Sequence, residues 1–277
     1  MSIPVAVCHG AFGRVCLFSV DRPMVPHAHR EGHLIFHVEG PPGELEVEGR
    51  VWPVAPDQAV AVSPWQTHLY RPRVAGLPVT TLVLYIRPAW FLEHARSATA
   101  SLSFGRVGIE VTDALKRLVF LTAHAMLNPD RHDCDMEERL SILTQAAFDQ
   151  SWQWTARDAC LVPGGHGRRD FRIRKALHLL QESAGEIGEL DDVARAVGLS
   201  RPHFYKLFRD QVGVTPKLYL NTLLMERAID LLAQGASPVA DIGFDLGFSS
   251  QASFSRFFIG NGVVAPSAYR RSVHSLA

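Results

Sequence analysis

A self-match at an offset of fifty residues constrains this chain more than any other feature. Phe204 returns as Phe254, Lys206 as Arg256, Phe208 as Phe258, Pro216 as Pro266 and Tyr219 as Tyr269. Five matches in register over sixteen positions, with the apolar ones spaced for one helix face, point to a duplicated structural unit. Each copy reads as helix, tight turn, helix. The first runs through Leu190–Val197, Gly198-Leu199-Ser200 and Arg201–Asp210, the second through Val239–Leu246, Gly247-Phe248-Ser249 and Ser250–Ile259. Glycine enters each turn because the backbone there needs a conformation that a Cβ penalises. Leu199 and Phe248 plug the gap between the paired helices, and Phe204/Phe208 and Phe254/Phe258, at i and i+4, face the core. The opposite face carries Tyr205, Lys206 and Arg209 in the first copy and Gln251, Ser253 and Arg256 in the second. Such side chains donate to phosphates and base edges, and two such helices suit major-groove segments about 34 Å apart. The plainer alternative is two helical hairpins with solvated polar faces.

The capping pattern supports helices throughout residues 171–273. Asp191 or Asp192 opens a helix that ends before Gly198; Ser200 caps the next, with Pro202 tolerated in its first turn. Thr215-Pro216 and Ser237-Pro238 each place a capping hydroxyl before a proline at the first helical position. Gly235 and Gly247 stand where helices should stop.

With these motifs in place, residues 171–273 resemble the DNA-binding region of AraC/XylS-type bacterial transcription regulators. The stretches that carry the likeness are LDDVARAVGLSRPHFYKLFRDQVGVTPKLYL and AIDLLAQGASPVADIGFDLGFSSQASFSRFFIGNGVVAPSAYRR. The resemblance implies two helix-turn-helix subdomains joined by a linker helix, roughly Pro216–Ala233. It implies base contacts from Pro202, Tyr205 and Lys206 and from Ala252, Ser253 and Arg256. Ser200, Arg209, Ser250 and Gln251 complete the expected DNA-facing set. Pro202 and Ala252 offer no side-chain hydrogen bond, so a thymine methyl is the most they can touch. It further implies double-stranded DNA as a partner, contact with RNA polymerase, and activation more often than repression. Three positions depart from the family pattern. Leu224 replaces a usual Arg, Gly243 a usual Ala, and Val263 a usual Gly.

The formal net charge of zero argues against a nucleic-acid partner until the chain is divided. Pro163-Gly164-Gly165-His166-Gly167 reads as a linker. Residues 1–167 hold 17 acidic and 14 basic side chains, a net −3, and residues 168–277 hold 11 and 14, a net +3. Even so, +3 is modest, so affinity is expected to rest on placed donors. The fold class expected is α+β and multidomain: 1–162 a cupin-like effector-binding and dimerisation domain, 163–170 a linker, 171–277 the all-α DNA-binding domain. Within the first, Val15–Val20, Leu34–Val38, Leu45–Val51, Ala59–Val62 and Val79–Ile86 read as strands of a small barrel. Two appended helices follow at 111–155. One has a stripe through Val111, Ala114, Leu115, Leu118, Leu121 and Ala125; the other runs Met136–Trp154. They either pack on their own barrel or pair two copies into a homodimer. Scattered cysteines without CxxC spacing fit a reducing cytoplasm. No apolar run is long enough for a transmembrane helix, and the N-terminal stretch lacks a signal-peptide pattern.

Histidines concentrate in the barrel region at His27, His29, His33, His37 and His68. The spacing of His27-Ala28-His29, His33 and Pro64…His68 resembles a cupin barrel's metal motif, with His33 at the usual Glu position. In a strand, His27 and His29 point the same way, and His68 from a neighbour makes a three-histidine set. Such a set suits Zn, Ni or Fe as a divalent metal cofactor. The other reading is a metal-free pocket for a small-molecule effector, lined by His27, His29, His33, His68 and Trp65, with Trp52, Tyr70, Tyr85 and Arg14 as further candidates. No catalytic constellation is present: no nucleophile elbow, no P-loop, no dinucleotide fingerprint. The expectation is a regulator, not an enzyme. The rival is a metal-dependent cupin enzyme fused to a DNA-binding tail.

Overall fold

The computed structural model describes residues 3–94, 103–128, 136–151, 170–182, 190–262 and 264–275. They fall into two compact units, Met1–Gln153 with Phe258–Ala277, and Trp154–Phe257. The segment expected to link two domains at 163–167, and Trp154 of the second helical stripe, lie outside the described residues.

The first unit is built from β1 (Ile3–Gly10), β2 (Gly13–Val20), β3 (Gly32–Glu39), β4 (Gly43–Val47), β5 (Arg50–Val54), β6 (Gln58–Val62), β7 (His68–Pro72) and β8 (Val79–Ile86). There follow α1 (Pro88–His94), β9 (Gly108–Glu110), α2 (Asp113–Leu127) and α3 (Met136–Ser151). Its second stretch supplies α10 (Pro266–Ser272) and β10 (Val273–Ser275). The other unit holds α4 (Phe171–Glu182), α5 (Leu190–Ala196), α6 (Arg201–Val212), α7 (Pro216–Gln234), α8 (Val239–Asp245) and the start of α9 (Gln251–Gly262).

Two sheets form the barrel. One has the order β10-β1-β2-β8-β3-β6-β9 and the other β5-β4-β7. The run expected as one strand over Leu45–Val51 is instead a two-residue hairpin. Glu48 and Gly49 both take positive φ (48° and 79°), and Val47 pairs with Arg50. Paired positive φ values are the hairpin geometry that matches strand twist. Pro53 sits in β5, an edge strand, where a missing N–H breaks no interior ladder. Leu34, Phe36, Leu82, Leu84 and Ile86 point into a core shared with Trp90, Phe91 and the buried faces of α2 and α3.

Thr112 caps α2, its hydroxyl accepting from Leu115 N–H at 3.3 Å. The buried face of α2 is Leu115, Val119, Thr122, Ala123 and Met126, which differs from the expected stripe. Ala114 and Leu121 of that stripe are exposed, because the hydrophobic residues of α2 wrap more than one face. In α3, Met136, Leu140, Leu143 and Ala147 are buried as the periodicity predicts.

The repeat in the sequence is a repeat in three dimensions. Gly198 and Gly247 both take positive φ (72° and 80°) after the first helix of each copy. Leu199 N–H donates to Ala194 C=O at 2.9 Å, and Gly198 N–H to Arg195 C=O at 3.0 Å. The second copy repeats the pair, with Phe248 N–H on Gly243 C=O at 3.0 Å and Gly247 N–H on Phe244 C=O at 2.9 Å. This double bond pattern closes a helix on a left-handed glycine. The helices after the turns bury Phe204, Phe208, Phe254 and Phe258 fully. Phe208 meets Tyr219 at 5.5 Å between ring centroids, and Phe258 meets Tyr269 at 5.9 Å.

Three capping details differ from expectation or sharpen it. Thr215 caps α7 through Leu218 N–H at 3.2 Å. Pro238, not Ser237, is the N-cap of α8, and no side chain caps it. Asp191 and Asp192 lie in the first turn of α5, which starts at Leu190. There their charge favours the helix through its dipole, not as a cap. The departure at Gly243 also has a reason: a Cβ there would sit 3.0 Å from the Cβ of Phe254. The glycine lets the phenylalanine of α9 approach α8. Leu224 is half-buried on α7, and Val263 lies outside the described residues.

Candidate effector pocket and nucleic-acid interface

Four of the barrel histidines converge. His27, His29, His33 and His68 are 3–9% exposed, and their ring centroids lie 4.4–5.4 Å apart wherever two rings meet. The backbone explains the convergence. His27 is not in a strand but forms an isolated antiparallel bridge with His68, each N–H donating to the other's carbonyl at 3.0 and 2.9 Å. A bonded antiparallel pair places both side chains on one face. His29 lies two residues on in irregular backbone, held by Trp65 N–H on its carbonyl at 2.8 Å. Trp65 takes a left-handed φ of 68°, uncommon for a bulky side chain. Strain of this kind clusters at functional sites. His33 enters from β3. His27 and His29 therefore face one way, as expected, although neither lies in a strand.

Ring orientation is partly fixed. His27 Nδ1 lies 2.8 Å from Val25 C=O, and His68 Nδ1 lies 2.8 Å from Gln66 C=O. As a carbonyl only accepts, both Nδ1 atoms carry the proton and both Nε2 atoms present a lone pair. His29 Nε2, His68 Nε2 and both ring nitrogens of His33 have no hydrogen-bond partner among the described residues. Each such buried orphan costs about 1–3 kcal/mol unless a ligand, ion or water meets it. His27, His29 and His68 can each present a ligating nitrogen within 4.8 Å of the others. Three imidazoles with no carboxylate among them suit borderline divalent ions such as Zn or Ni and fit hard Ca or Mg poorly. His37 stands apart, its Nε2 2.9 Å from Gly40 C=O.

Beside the histidines lies a charge pair whose basic member is buried. Arg14 is 5% exposed, its guanidinium lies 3.8 Å over the Tyr85 ring, and it bridges Glu31 at 3.0 Å. Tyr85 in turn meets the rings of His29 and His33 at 5.2 and 5.1 Å. Glu31 stands outside the set expected from sequence. Its one signal there is a carboxylate lying between His29 and His33.

Burial holds these imidazoles neutral. His29, His33 and His68 are pushed well below the ordinary histidine range, first by desolvation and then by neighbouring histidines, and His27 is lowered by desolvation. Nearby, His9 falls to about 4, through burial and then the charges of Arg14 and Arg87. The unfolded chain binds more protons than the folded chain below about pH 6.5, so stability is complete above that pH and falls as pH drops. We expect metal-stripped protein to lose stability progressively from about pH 6.5 to 4. Urea midpoints read at half-unit steps check this, and a midpoint that stays constant through the upper half of that range contradicts it.

The second candidate site lies on the helices after the two turns. In the first copy Ser200, Pro202, Lys206 and Arg209 are exposed and Tyr205 is half-buried. Ser200 caps the backbone of α6 without a side-chain bond. Arg201, outside the expected DNA-facing set, stacks 5.6 Å from the Tyr205 ring and bridges Asp191 at 3.1 Å. In the second copy Gln251, Ala252 and Arg256 are exposed. Ser250 and Ser253 are half-buried and bond each other reciprocally. Ser250 N–H donates to Ser253 Oγ and Ser253 N–H to Ser250 Oγ, both at 3.2 Å. That exchange is a capping box built from two serines. It engages the Ser253 hydroxyl in the helix terminus.

Comparison with known proteins gives matches to both halves. Residues 15–142 match the model of the AraC-like ligand binding domain, and residues 193–272 match a helix-turn-helix domain. Together the two models span about three quarters of the chain. The lactose operon transcription activator of Staphylococcus xylosus is 35% identical over 81 residues, covering 29% of this chain and 29% of that protein. The RCS-specific HTH-type transcriptional activator RclR of Escherichia coli is 29% identical over 106 residues, covering 38% and 37%. The chain thus matches well under half the length of these curated relatives. Among solved structures, ToxT from Vibrio cholerae, bound to an unsaturated fatty acid, aligns with a TM-score of 0.58 at 14% identity over 92% of this chain and 94% of that one. At that identity the likeness is one of fold. No helix among the described residues is long and apolar enough to cross a membrane.

Proposed function

Because the chain belongs to the AraC family of regulators, we propose that it is a sequence-specific DNA-binding transcription regulator controlled by an effector in its barrel. The observation that carries this reading is the doubled helix-turn-helix, closed twice by the same glycine-terminated hydrogen bonds, in one chain with a barrel that holds a buried cluster of histidines. DNA contacts fall to Pro202, Tyr205, Lys206 and Arg209 in the first copy, with Ser200 at its cap. In the second they fall to Gln251, Ala252, Ser253 and Arg256, with Ser250 at the cap. The chain acts in the cytoplasm as an activator that touches RNA polymerase, and it is not an enzyme. Its domains are 1–162 and 171–277, joined by 163–170. Two copies pair through the helices at 111–155, where Phe120, Leu121 and Ile142 are 65, 45 and 47% exposed. Such a pairing would cover these three exposed apolar side chains.

An effector shifts such a protein only by binding one arrangement better than another. The histidine cluster is where that difference in affinity arises. Incubating the full chain with sheared genomic DNA and sequencing what it retains tests the reading. A small set of fragments sharing one sequence motif is the expected result. Uniform retention of the genome, or none, contradicts it.

A further inference from the structure

The histidine cluster allows the effector to be named by class. His27, His29 and His68 arrive from two backbone segments clipped together by the His27–His68 bridge and by the Trp65–His29 hydrogen bond. Backbone carbonyls hold His27 and His68 through Nδ1, which leaves Nε2 to face the others. A carbonyl on the far nitrogen is the arrangement that orients metal-ligating histidines and fixes their tautomer. A site built for an apolar molecule would gain nothing from four buried imidazole nitrogens without hydrogen-bond partners among the described residues. A site built for an anion would present free charged donors, yet the guanidinium of Arg14 is already bridged to Glu31 at 3.0 Å.

We propose that His27, His29 and His68 bind one divalent first-row transition-metal ion, with His33 beside them, and that this ion is the effector of the barrel. The donor set is all imidazole, which selects Zn, Ni, Co, Cu or Fe over Mg and Ca. Nitrogen ligands about 2.1 Å from such an ion lie roughly 3.4 Å apart in a tetrahedron. The present limit of 4.8 Å therefore closes by small ring movements. His33 lies beside this set, its ring 4.4 Å from His68 and 5.2 Å from His29, but outside the three whose nitrogens lie within 4.8 Å of one another. The effector role rests on the regulator reading above; the metal site itself does not.

The test uses the full chain with any purification tag removed. The protein is stripped with a chelator and titrated with Co²⁺ and with Zn²⁺. One ion per chain is expected, with visible Co²⁺ absorption of nitrogen coordination. His29→Ala and His68→Ala are each expected to weaken binding about tenfold or more. His37→Ala, outside the cluster, should match the wild type. Wild-type protein that is folded by circular dichroism yet takes up no Co²⁺ overturns the site, and that result needs no variant to fold. So does binding that survives both alanine variants unchanged, since the ion then sits elsewhere. The effector role is read on the genomic fragments retained by the wild type. Metal-loaded and stripped protein should differ in affinity about 5- to 150-fold. One ion per chain with equal DNA affinity in both forms overturns the effector role and keeps the site. Failure to retain any specific DNA in either form overturns the regulator reading instead.

Discussion

Glu31→Ala is expected to destabilise the barrel by about 3–5 kcal/mol, among the largest effects of a single polar substitution in the chain. Arg14 is 5% exposed and its side chain meets Glu31 at 3.0 Å, with Glu31 itself 13% exposed at the side chain. Burial disfavours the Arg14 charge, but Glu31 and the neighbouring aromatic hydroxyls outweigh it and hold the guanidinium protonated. Removing the carboxylate leaves a buried cation without its partner, and the protein cannot discharge it. Tyr85 alone, 3.8 Å beneath the guanidinium, offers a cation–π contact of roughly 0.5–2 kcal/mol, too little to compensate. The paired replacement Arg14→Met with Glu31→Leu is expected to recover most of the loss, because both desolvation costs leave together. Urea unfolding of the three proteins measures both effects. A single-variant loss below about 1 kcal/mol would mean that solvent screens the pair as it does on a surface.

The double variant Lys206→Ala/Arg256→Ala is expected to abolish selective DNA retention while leaving the fold intact. Both side chains are exposed on the helices that follow the two turns, so their loss should change stability by no more than about 0.5 kcal/mol. Each contact to a base or phosphate carries about 1–3 kcal/mol of binding, roughly 5- to 150-fold in affinity. The two side chains sit in separate copies of the repeat, so their effects should add. Fluorescence anisotropy on a retained fragment measures this at two salt concentrations. Removing a side chain that touches phosphate makes the salt dependence shallower, whereas removing one that reads a base relaxes sequence preference. A double variant that binds like the wild type would mean that DNA is read by another face.

Much of the fold is legible without coordinates, for identifiable reasons. The helix-turn-helix pairs follow from local chemistry: left-handed glycines at 198 and 247, an apolar plug after each, and phenylalanines one helical turn apart. Each signal spans a few residues, and the repeat presents it twice. The strand over Val79–Ile86 is legible to its ends because it is buried on nearly every residue and flanked by Pro78 and Pro88. The β4–β5 hairpin is legible only in part: Glu48-Gly49 punctuates the run Leu45–Val51, but Glu48 gives little warning of a positive φ, and pairing to a third strand, β7, completes it. The solvent face of α2 also escapes a sequence pattern, because Phe120 and Leu121 are apolar yet exposed. Periodicity counts apolar residues and cannot tell which apolar face a neighbour covers.

The fifty-residue repeat, most of the caps and the histidine spacing follow from the order of residues alone, since each acts over one or two turns of chain. Long-range contacts decide the rest. The His27–His68 bridge joins positions forty-one apart, and Arg14 of β2 finds Tyr85 on β8 and Glu31 just ahead of β3. The last segment is the clearest case. Val273–Ser275 pairs in parallel with β1, aligning Val7 with Val273, and Tyr269 Oη lies 3.1 Å from His9 Nε2. A three-residue strand has no local signature, because its backbone bonds exist only once a partner edge, more than 260 residues earlier, is already in place.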